Sequence, residues 1–266
     1  DRQTVQLEGY MTHLLTNDAV SFLYRKHQQP FFLSIQFNAP HWPWQAPGDS
    51  AYPLGDKEWK ENGSPQKYAA MVASMDSAIG RIMQTLQATG LSKNTMVIFT
   101  SDNGGERFSD NGGLRERKMQ LWEGGIRVPA IAYWPGKIPA NKVISTPITH
   151  MDFTATIMAL AKAKTNASFP LDGMDISSWL FTGQAPDTSR VFCWRVTQRF
   201  QQKAIRMGNW KYLQTETGEY LFELASDPYE RNSLKVAFPQ KLQAMKEALN
   251  AWETTMLLPV PLASER

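Results

Sequence analysis

Side chains that could do chemistry follow apolar runs at several points in this sequence. The stretch "VIFTSDNGG" places Asp102 and Asn103 directly after an apolar run. "FFLSIQFNAPH" places His41 after another, and "LRERKMQLWEGG" supplies Lys118. A carboxylate and an amide carbonyl are hard oxygen ligands, which suit Ca²⁺ or Mg²⁺ better than zinc. Lysine and histidine beside such a cation would make an anion site, because lysine adds positive charge and histidine can protonate a departing oxygen.

Each of these features also has a purely structural explanation. Asp-Asn-Gly-Gly is a common turn sequence, since Asn and Gly tolerate positive φ and Asp caps nearby amides. Lys118 in "RERK" fits a solvated surface charge, and a single histidine after a strand is often structural. Glu123-Gly124-Gly125 fits a bend whose carboxylate caps a backbone amide. Taken one at a time, the motifs leave the chemistry open.

Composition excludes several classes of protein. The chain has 266 residues, of which 42% are hydrophobic and 20% charged, with a net charge of +3. These values are typical of a globular protein and show no basic tract for nucleic acid. We therefore expect no nucleic-acid partner and, since no apolar run approaches the ~20 residues of a membrane helix, no membrane span. The single cysteine, Cys193, excludes an internal disulfide framework and a multi-cysteine zinc site.

Helical and apolar segments alternate through residues 1–180. "MTHLLTNDAVSFLYRK" predicts a helix and "PFFLSIQF" a buried strand. A second helix is predicted from Ser64-Pro65 to Gly90, followed by the strands "TMVIFTS" and "VPAIAYWP" and a helix opened by Asp152. The alternation predicts an α/β fold, in which a sheet has helices on both sides.

The alternation of helical and apolar segments gives way to a different pattern in residues 181–266. Four short apolar segments, "RVFCWRV", "KAIRMG", "WKYLQT" and "EYLFEL", are separated by turn residues and predict an antiparallel meander. A closing helix carries one apolar stripe, made of Leu242, Met245, Leu249 and Trp252. We predict a small α+β carboxyl-terminal subdomain here.

In combination and order, these motifs resemble the carboxyl-terminal half of the type I sulfatases, a family of the alkaline phosphatase superfamily. The resemblance rests on "NAPHWPWQAP", "YAAMVASMDSAIGRI", "VIFTSDNGG" and "LRERKMQLWEGGIRVPAIAYWPG". It continues through "PLDGMDISSWL", "AIRMGNWKYL" and "LFELASDPYERNSL", and so covers nearly the whole chain. It implies part of an alkaline-phosphatase-like α/β core over residues 1–180, with a mixed, mostly parallel sheet sandwiched by helices. It also implies the family's small terminal subdomain over 181–266.

The resemblance also implies roles for single residues. Asp102 and Asn103 match the family's second pair of calcium ligands. Lys118 matches the lysine that contacts the sulfate, and His41 matches the histidine that contacts the sulfate or the leaving oxygen. Glu123 belongs to a structural signature that we do not expect to be catalytic. Lys118 is followed by Met119 where many members have glycine, which could alter the loop.

Two tryptophans lie beside His41 in "HWPWQ". Trp42 and Trp44 could stack on the apolar face of a sugar, or they could pack the loop. We predict both as substrate contacts and keep the packing alternative open.

The resemblance implies a nucleophile that is missing here. Type I sulfatases use a formylglycine made in a C/S-x-P-x-R motif, and no segment fits it, since Cys193 is followed by Trp-Arg-Val. The amino-terminal Asp-Asp metal pair is also absent. We therefore expect both in an amino-terminal half of the same polypeptide, and expect this chain alone to be inactive. The complete enzyme would hydrolyse a small-molecule or carbohydrate sulfate ester with Ca²⁺ or Mg²⁺, in the periplasm or outside the cell.

Two alternatives remain open from the sequence. One is a phosphoester or phosphonate-ester hydrolase of the same superfamily, because both oxyanions are tetrahedral. The other is a non-catalytic binding module that keeps the fold and lacks the nucleophile.

Overall fold

The computed structural model describes residues 4–50, 63–186, 190–197 and 199–258. The chain forms two compact units. The first contains the chain up to Ile98 together with Ala132–Ala185. The second contains Phe99–Ile131 together with the chain from Pro186 onward. The predicted domain boundary between residues 180 and 181 stays a prediction.

Two predicted helices pack together in the first unit. Helix α1 spans Met11–Tyr24 and helix α2 spans Pro65–Ala88, and a 3-10 helix, Leu91–Asn94, follows α2. Helix α2 begins where the sequence predicts, because the Ser64 side chain accepts the Lys67 N–H at 3.1 Å. The core between the helices consists of buried apolar side chains, namely Ala19, Leu23, Ile82 and Leu86.

The prediction of a strand at "PFFLSIQF" is wrong. Residues 30–37 belong to no hydrogen-bonded ladder among the described residues. The alternation is nevertheless present, since Phe31, Leu33 and Ile35 pack against the α1–α2 core while Phe32 is 70% exposed. The segment has the side-chain period of a strand, but a strand also needs a neighbour to satisfy its backbone groups. Periodicity alone could not report whether that neighbour is present.

The other predicted elements of residues 1–180 are confirmed. Strand β1, Val97–Thr100, pairs with strand β2, Ala130–Tyr133, in a two-stranded sheet. Helix α4 spans His150–Leu160, and its amino-terminal cap is Thr149 rather than Asp152. Asp152 lies in the first turn and accepts the Thr149 N–H at 2.8 Å and the Met174 N–H at 2.9 Å. The short helices α3, Glu123–Ile126, and α5, Ser177–Thr182, complete this region.

The carboxyl-terminal meander forms as predicted. Strands β3 (Val191–Val196), β4 (Gln202–Met207), β5 (Trp210–Thr215) and β6 (Gly218–Glu223) form an antiparallel sheet in sequence order. Helix α6, Pro239–Thr254, covers one face of the sheet, where its apolar stripe packs on Ile205, Tyr212 and Leu221.

The opposite face of this sheet supports the loops that carry the candidate site. Leu213 and Phe222 point away from α6, because side chains alternate along a strand. They form a second buried cluster with Leu121 and Trp122, which lie just before α3. Residues close to Lys118 are thus anchored in a core built by the carboxyl-terminal strands.

Candidate functional site

Asp102 and Asn103 lie directly after β1, as the sequence predicts. The Asp102 side chain is exposed and Asn103 is half-buried. The Ser101 hydroxyl donates to the Asn103 carbonyl oxygen at 3.0 Å, and the Thr100 hydroxyl donates to Pro129 at 3.0 Å. These bonds tie the end of the strand to its own loop and to the segment that enters β2.

The two Gly-Gly pairs hold the Asp102–Asn103 loop against the loop that carries Lys118. Gly104 donates its N–H to the Gly125 carbonyl at 2.9 Å, and Lys118 donates its N–H to Gly105 at 3.0 Å. A Cβ built on Gly104 would lie 1.9 Å from the Gly124 carbonyl oxygen, so no larger residue fits there. The structure therefore brings Asp102, Asn103 and Lys118 onto two directly bonded loops of one compact unit.

The pentapeptide Ser-Asp-Asn-Gly-Gly occurs twice, at 101–105 and at 109–113, and the two copies differ in structure. In the second copy the Asp110 carboxylate accepts the Gly112 N–H at 2.8 Å, and Gly112 has φ of +66°. That copy is the turn that such sequences usually form. In the first copy, Gly104 has no positive φ and is instead needed for close backbone packing.

Asn111 is a supporting residue that the sequence analysis did not single out. Its side-chain oxygen accepts the Gly105 N–H at 2.9 Å, and its amide group donates to the Glu116 carbonyl at 3.1 Å. It thus joins the residue after Gly104 to the segment that leads into Lys118. The repeated Asn-Gly-Gly was the signal that could have drawn attention to it.

His41 lies in a loop of the first unit and is exposed. Its N–H donates to the Asn38 carbonyl at 2.8 Å, and its Nδ1 lies 2.6 Å from the Trp42 carbonyl oxygen. Because a carbonyl only accepts, Nδ1 carries a proton in this arrangement, which leaves Nε2 for other partners. Its predicted role beside Lys118 stays a prediction.

The two tryptophans beside His41 differ in exposure. Trp42 is 37% exposed and its ring centroid lies 4.7 Å from that of His41. Trp44 is only 4% exposed, which fits the alternative in which it packs the loop. A role of either ring in binding substrate stays a prediction.

Glu123 is buried and its carboxylate is paired with a lysine. It is 2% exposed, and its carboxylate accepts a hydrogen bond from Lys211 Nζ at 2.9 Å. Lys211 also lies 2.8 Å from Glu230, and both residues are fully buried. Burial raises the pKa of Glu230, with the positive charge of Lys211 acting in the opposite direction. The alternative of a bend with an amide-capping acid is wrong, because Glu123 begins the short helix α3 and its carboxylate accepts from a lysine.

The side chains after β1 supply two oxygen ligands of the kind that hard cations bind. Within the described residues, the side chains of Asp102 and Asn103 make no hydrogen bond or ion pair, so their oxygens are available to a ligand. No group of three or more His, Cys, Asp or Glu residues that could hold a metal occurs in the described part of the chain. Because Ca²⁺ takes six to eight oxygens, further ligands would have to come from elsewhere.

None of the helices in the described ranges combines the length and the apolar character that a membrane span requires.

Comparisons with known proteins show which family this chain resembles. A family model of sulfatases matches residues 1–163. The chain is 33% identical to N-acetylgalactosamine-6-sulfatase of Mus musculus over 212 residues, which are 77% of this chain and 38% of that protein. It is 32% identical to steryl-sulfatase of Mus musculus over 211 residues, 76% of this chain and 32% of that protein.

A solved structure shares the fold over most of the chain. The crystal structure of Ps i-CgsB in complex with a neocarrahexaose aligns with a TM-score of 0.82 and 29% identity, covering 95% of this chain and 56% of that one. The chain thus spans between about a third and about half of the length of these relatives. The α/β core and the antiparallel subdomain predicted from the sequence are confirmed as part of an alkaline-phosphatase-like fold. This chain belongs to the sulfatase family.

Proposed function

We propose that the complete protein hydrolyses a sulfate monoester. The observation that carries this proposal is the direct bonding of the Lys118 loop to the Asp102–Asn103 loop, through Lys118 N–H to Gly105 and Gly104 N–H to Gly125. These bonds hold an ammonium group and two hard oxygen ligands on adjoining loops. Such a combination suits a tetrahedral oxyanion bound between a lysine and a divalent cation.

The residues of this chain would divide the work. Lys118 would contact the sulfate oxygens and offset the charge that grows on them in the transition state. His41, as imidazolium, would give the Nε2 proton to the departing oxygen, while its Nδ1 stays bonded to the Trp42 carbonyl. Asp102 and Asn103 would hold Ca²⁺, or Mg²⁺, with ligands from outside these 266 residues. When bound, that cation would supply positive charge beside the sulfate. A formylglycine nucleophile would have to come from residues outside these 266.

We further propose a carbohydrate sulfate as the substrate. Trp42 is the exposed aromatic residue beside His41, and its ring offers a face on which a sugar can stack. One relative is named as an N-acetylgalactosamine-6-sulfatase, and another was solved with a neocarrahexaose. The steryl-sulfatase relative means that an aryl or steryl sulfate belongs in the same substrate panel.

We also propose that the protein acts outside the cytoplasm, in the periplasm or beyond the cell, as the family resemblance implies. Fractionation of the source cells followed by immunodetection tests this point directly.

The first experiment measures turnover of 4-nitrophenyl sulfate by the full-length protein and its variants. Lys118→Met and His41→Asn should each lower kcat/KM by about 100-fold or more, the usual effect of losing one transition-state contact. Lys137→Met is the matched control, because Lys137 is exposed and lies in a turn of the other unit. Circular dichroism checks that every variant folds. Near-normal turnover in both site variants would overturn the residue assignments.

The same assay separates the alternatives. Faster turnover of 4-nitrophenyl phosphate than of the sulfate would favour a phosphoester hydrolase. Calcium-dependent binding of a sulfated oligosaccharide by the natural full-length protein, with no turnover of either ester, would favour a binding module.

A further inference from the structure

Two charged residues in and next to the carboxyl-terminal sheet are buried, although the proposed reaction does not use them. Lys211 on β5 and Glu230 after β6 are both 0% exposed. They belong to "AIRMGNWKYL" and "LFELASDPYERNSL", two motifs to which the proposed reaction gives no role. A fully buried lysine and a fully buried glutamate are rare unless they are paired, so their partners indicate what they do.

Glu230 binds both ends of residues 115–123, the segment that carries Lys118 and is called the Lys118 loop below. At one end, Arg115 Nη1 donates to the Glu230 carbonyl oxygen at 3.0 Å. At the other end, the Glu123 N–H donates to the Glu230 carboxylate at 2.6 Å. The Arg115 guanidinium also lies 3.7 Å from the Trp122 ring centroid, which closes the loop on itself. One residue thus fixes the distance between the two ends of the loop.

The positive charge of Lys211 compensates the negative charges of the buried Glu123 and Glu230 carboxylates. Its Nζ lies 2.9 Å from Glu123 Oε1 and 2.8 Å from Glu230 Oε1, so one cation bridges two buried carboxylates. Arg127 and Arg206 lie 3.9 Å and 4.0 Å from the second Glu123 oxygen. The negative charges of the two acids are therefore balanced by three nearby cations, as burial of such groups requires.

The turn before Glu230 holds this residue in the orientation that reaches the Lys118 loop. Glu230 has φ of +56°, a left-handed conformation that residues other than glycine seldom adopt. Asp227 holds the turn in place by accepting the Arg231 N–H at 3.1 Å and the Asn232 N–H at 2.9 Å. Uncommon backbone conformations persist where surrounding contacts over-determine them, and they are frequent next to functional sites.

We propose that Glu230 and Lys211 are positioning residues, which hold the Lys118 loop so that Lys118 and a cation held by Asp102 and Asn103 can act on the same oxyanion. The link to the site runs through the Gly125–Gly104 and Lys118–Gly105 hydrogen bonds. This inference rests on the proposed sulfatase function for its chemical consequence. The mechanical part of the proposal is that the carboxyl-terminal sheet keeps the Lys118 loop ordered. This part does not depend on the substrate.

Hydrogen exchange of the full-length protein tests the mechanical part. In Glu230→Ala, the Lys118, Gly104 and Gly124 amides should exchange about tenfold faster or more, because losing one partner of a buried charge pair is strongly destabilising. Amides in β3–β6 should keep their wild-type rates. Glu230→Gln should give a smaller increase, since glutamine keeps an oxygen that can accept the Glu123 N–H.

Glu253→Gln is the matched control. Glu253 pairs with Lys203 at 2.6 Å on the α6 face of the same sheet, away from the Lys118 loop. It should leave exchange in the loop unchanged. Unchanged loop exchange in both Glu230 variants, or an equal increase throughout the sheet, would overturn the proposal.

Steady-state kinetics with 4-nitrophenyl sulfate test the chemical part. Glu230→Ala should raise KM and lower kcat/KM by about 100-fold, as expected when a binding group is displaced by about 1 Å. Glu230→Gln should recover part of both losses. A variant that lost only folded protein would lower the apparent kcat and leave KM unchanged, and that result would contradict positioning. If the wild-type protein hydrolyses no sulfate ester, the proposed function fails, and the exchange data still decide whether Glu230 controls the loop.

Discussion

Replacement of Gly104 by alanine should force apart the loops that carry Asn103 and Lys118. The added Cβ would lie 1.9 Å from the Gly124 carbonyl oxygen, 2.8 Å from its carbonyl carbon and 2.9 Å from the Gly125 Cα. All three contacts are to backbone atoms, so rotation of a side chain cannot relieve them. The backbone of one loop has to move.

The size of the movement sets the expected energy. Carbon and carbonyl oxygen atoms in contact are usually about 3.3 Å apart or more, so the 1.9 Å approach requires a shift of about 1.4 Å. Such a shift takes the Gly104 N–H···Gly125 bond, now 2.9 Å, beyond hydrogen-bonding distance. Overpacking costs about 1–3 kcal/mol and a lost hydrogen bond about 1 kcal/mol. The free energy of unfolding should therefore fall by about 2–4 kcal/mol.

Urea denaturation of the full-length protein, followed by circular dichroism, measures this change. Gly80→Ala is the matched control, because Gly80 lies inside α2 and an added Cβ there meets nothing within 4 Å. The control should be stabilised by about 0.5–1 kcal/mol, the usual gain from alanine over glycine in a helix. Neutral surface substitutions change the free energy of unfolding by up to about 0.5 kcal/mol. If Gly104→Ala changes it by no more than that, the close backbone packing of Gly104 against Gly124 and Gly125 is refuted.

Three further predictions concern other parts of the chain. Burial raises the pKa of the Cys193 thiol to about 11. Its modification by a disulfide reagent at pH 8 should therefore be about 100-fold slower than that of an exposed cysteine. Modification at the rate of an exposed cysteine would contradict this prediction. Ser64→Ala removes the cap on the Lys67 N–H and should lower the free energy of unfolding by about 1 kcal/mol in urea titration, whereas an unchanged midpoint would show that the cap is not needed. The hydrogen bond from Lys203 lowers the pKa of Glu253, so the stability that Glu253 contributes is present above its unfolded pKa and is lost as pH falls through the lower folded value. The gap between wild type and Glu253→Gln should therefore be less than about 1 kcal/mol at neutral pH and should close in acid, and a gap that persists at low pH would disprove the linkage.

Much of the fold could be predicted because local patterns survive in the structure. The four strands of the meander follow from short apolar segments separated by turn residues, and α6 follows from an apolar stripe at helical spacing that packs on the sheet. Asp102 and Asn103 could be placed after β1 for the same reason, since an apolar strand ends where polar turn residues begin. Lys118 could be singled out only by resemblance, because a lysine in "RERK" has no pattern that separates it from a surface charge.

By itself, the sequence determined most of the elements, their order and the residues available for chemistry, because side-chain period and capping are properties of neighbouring residues. Tertiary structure alone decided which Ser-Asp-Asn-Gly-Gly is a turn and which packs against Gly124 and Gly125. It also decided that residues 30–37 form no ladder in the described part of the chain, and that Lys211 bridges Glu123 and Glu230. These outcomes depend on contacts between residues far apart in sequence, about 90 to 110 positions for the Glu123 contacts. No local pattern encodes which distant backbone or charge a residue will meet.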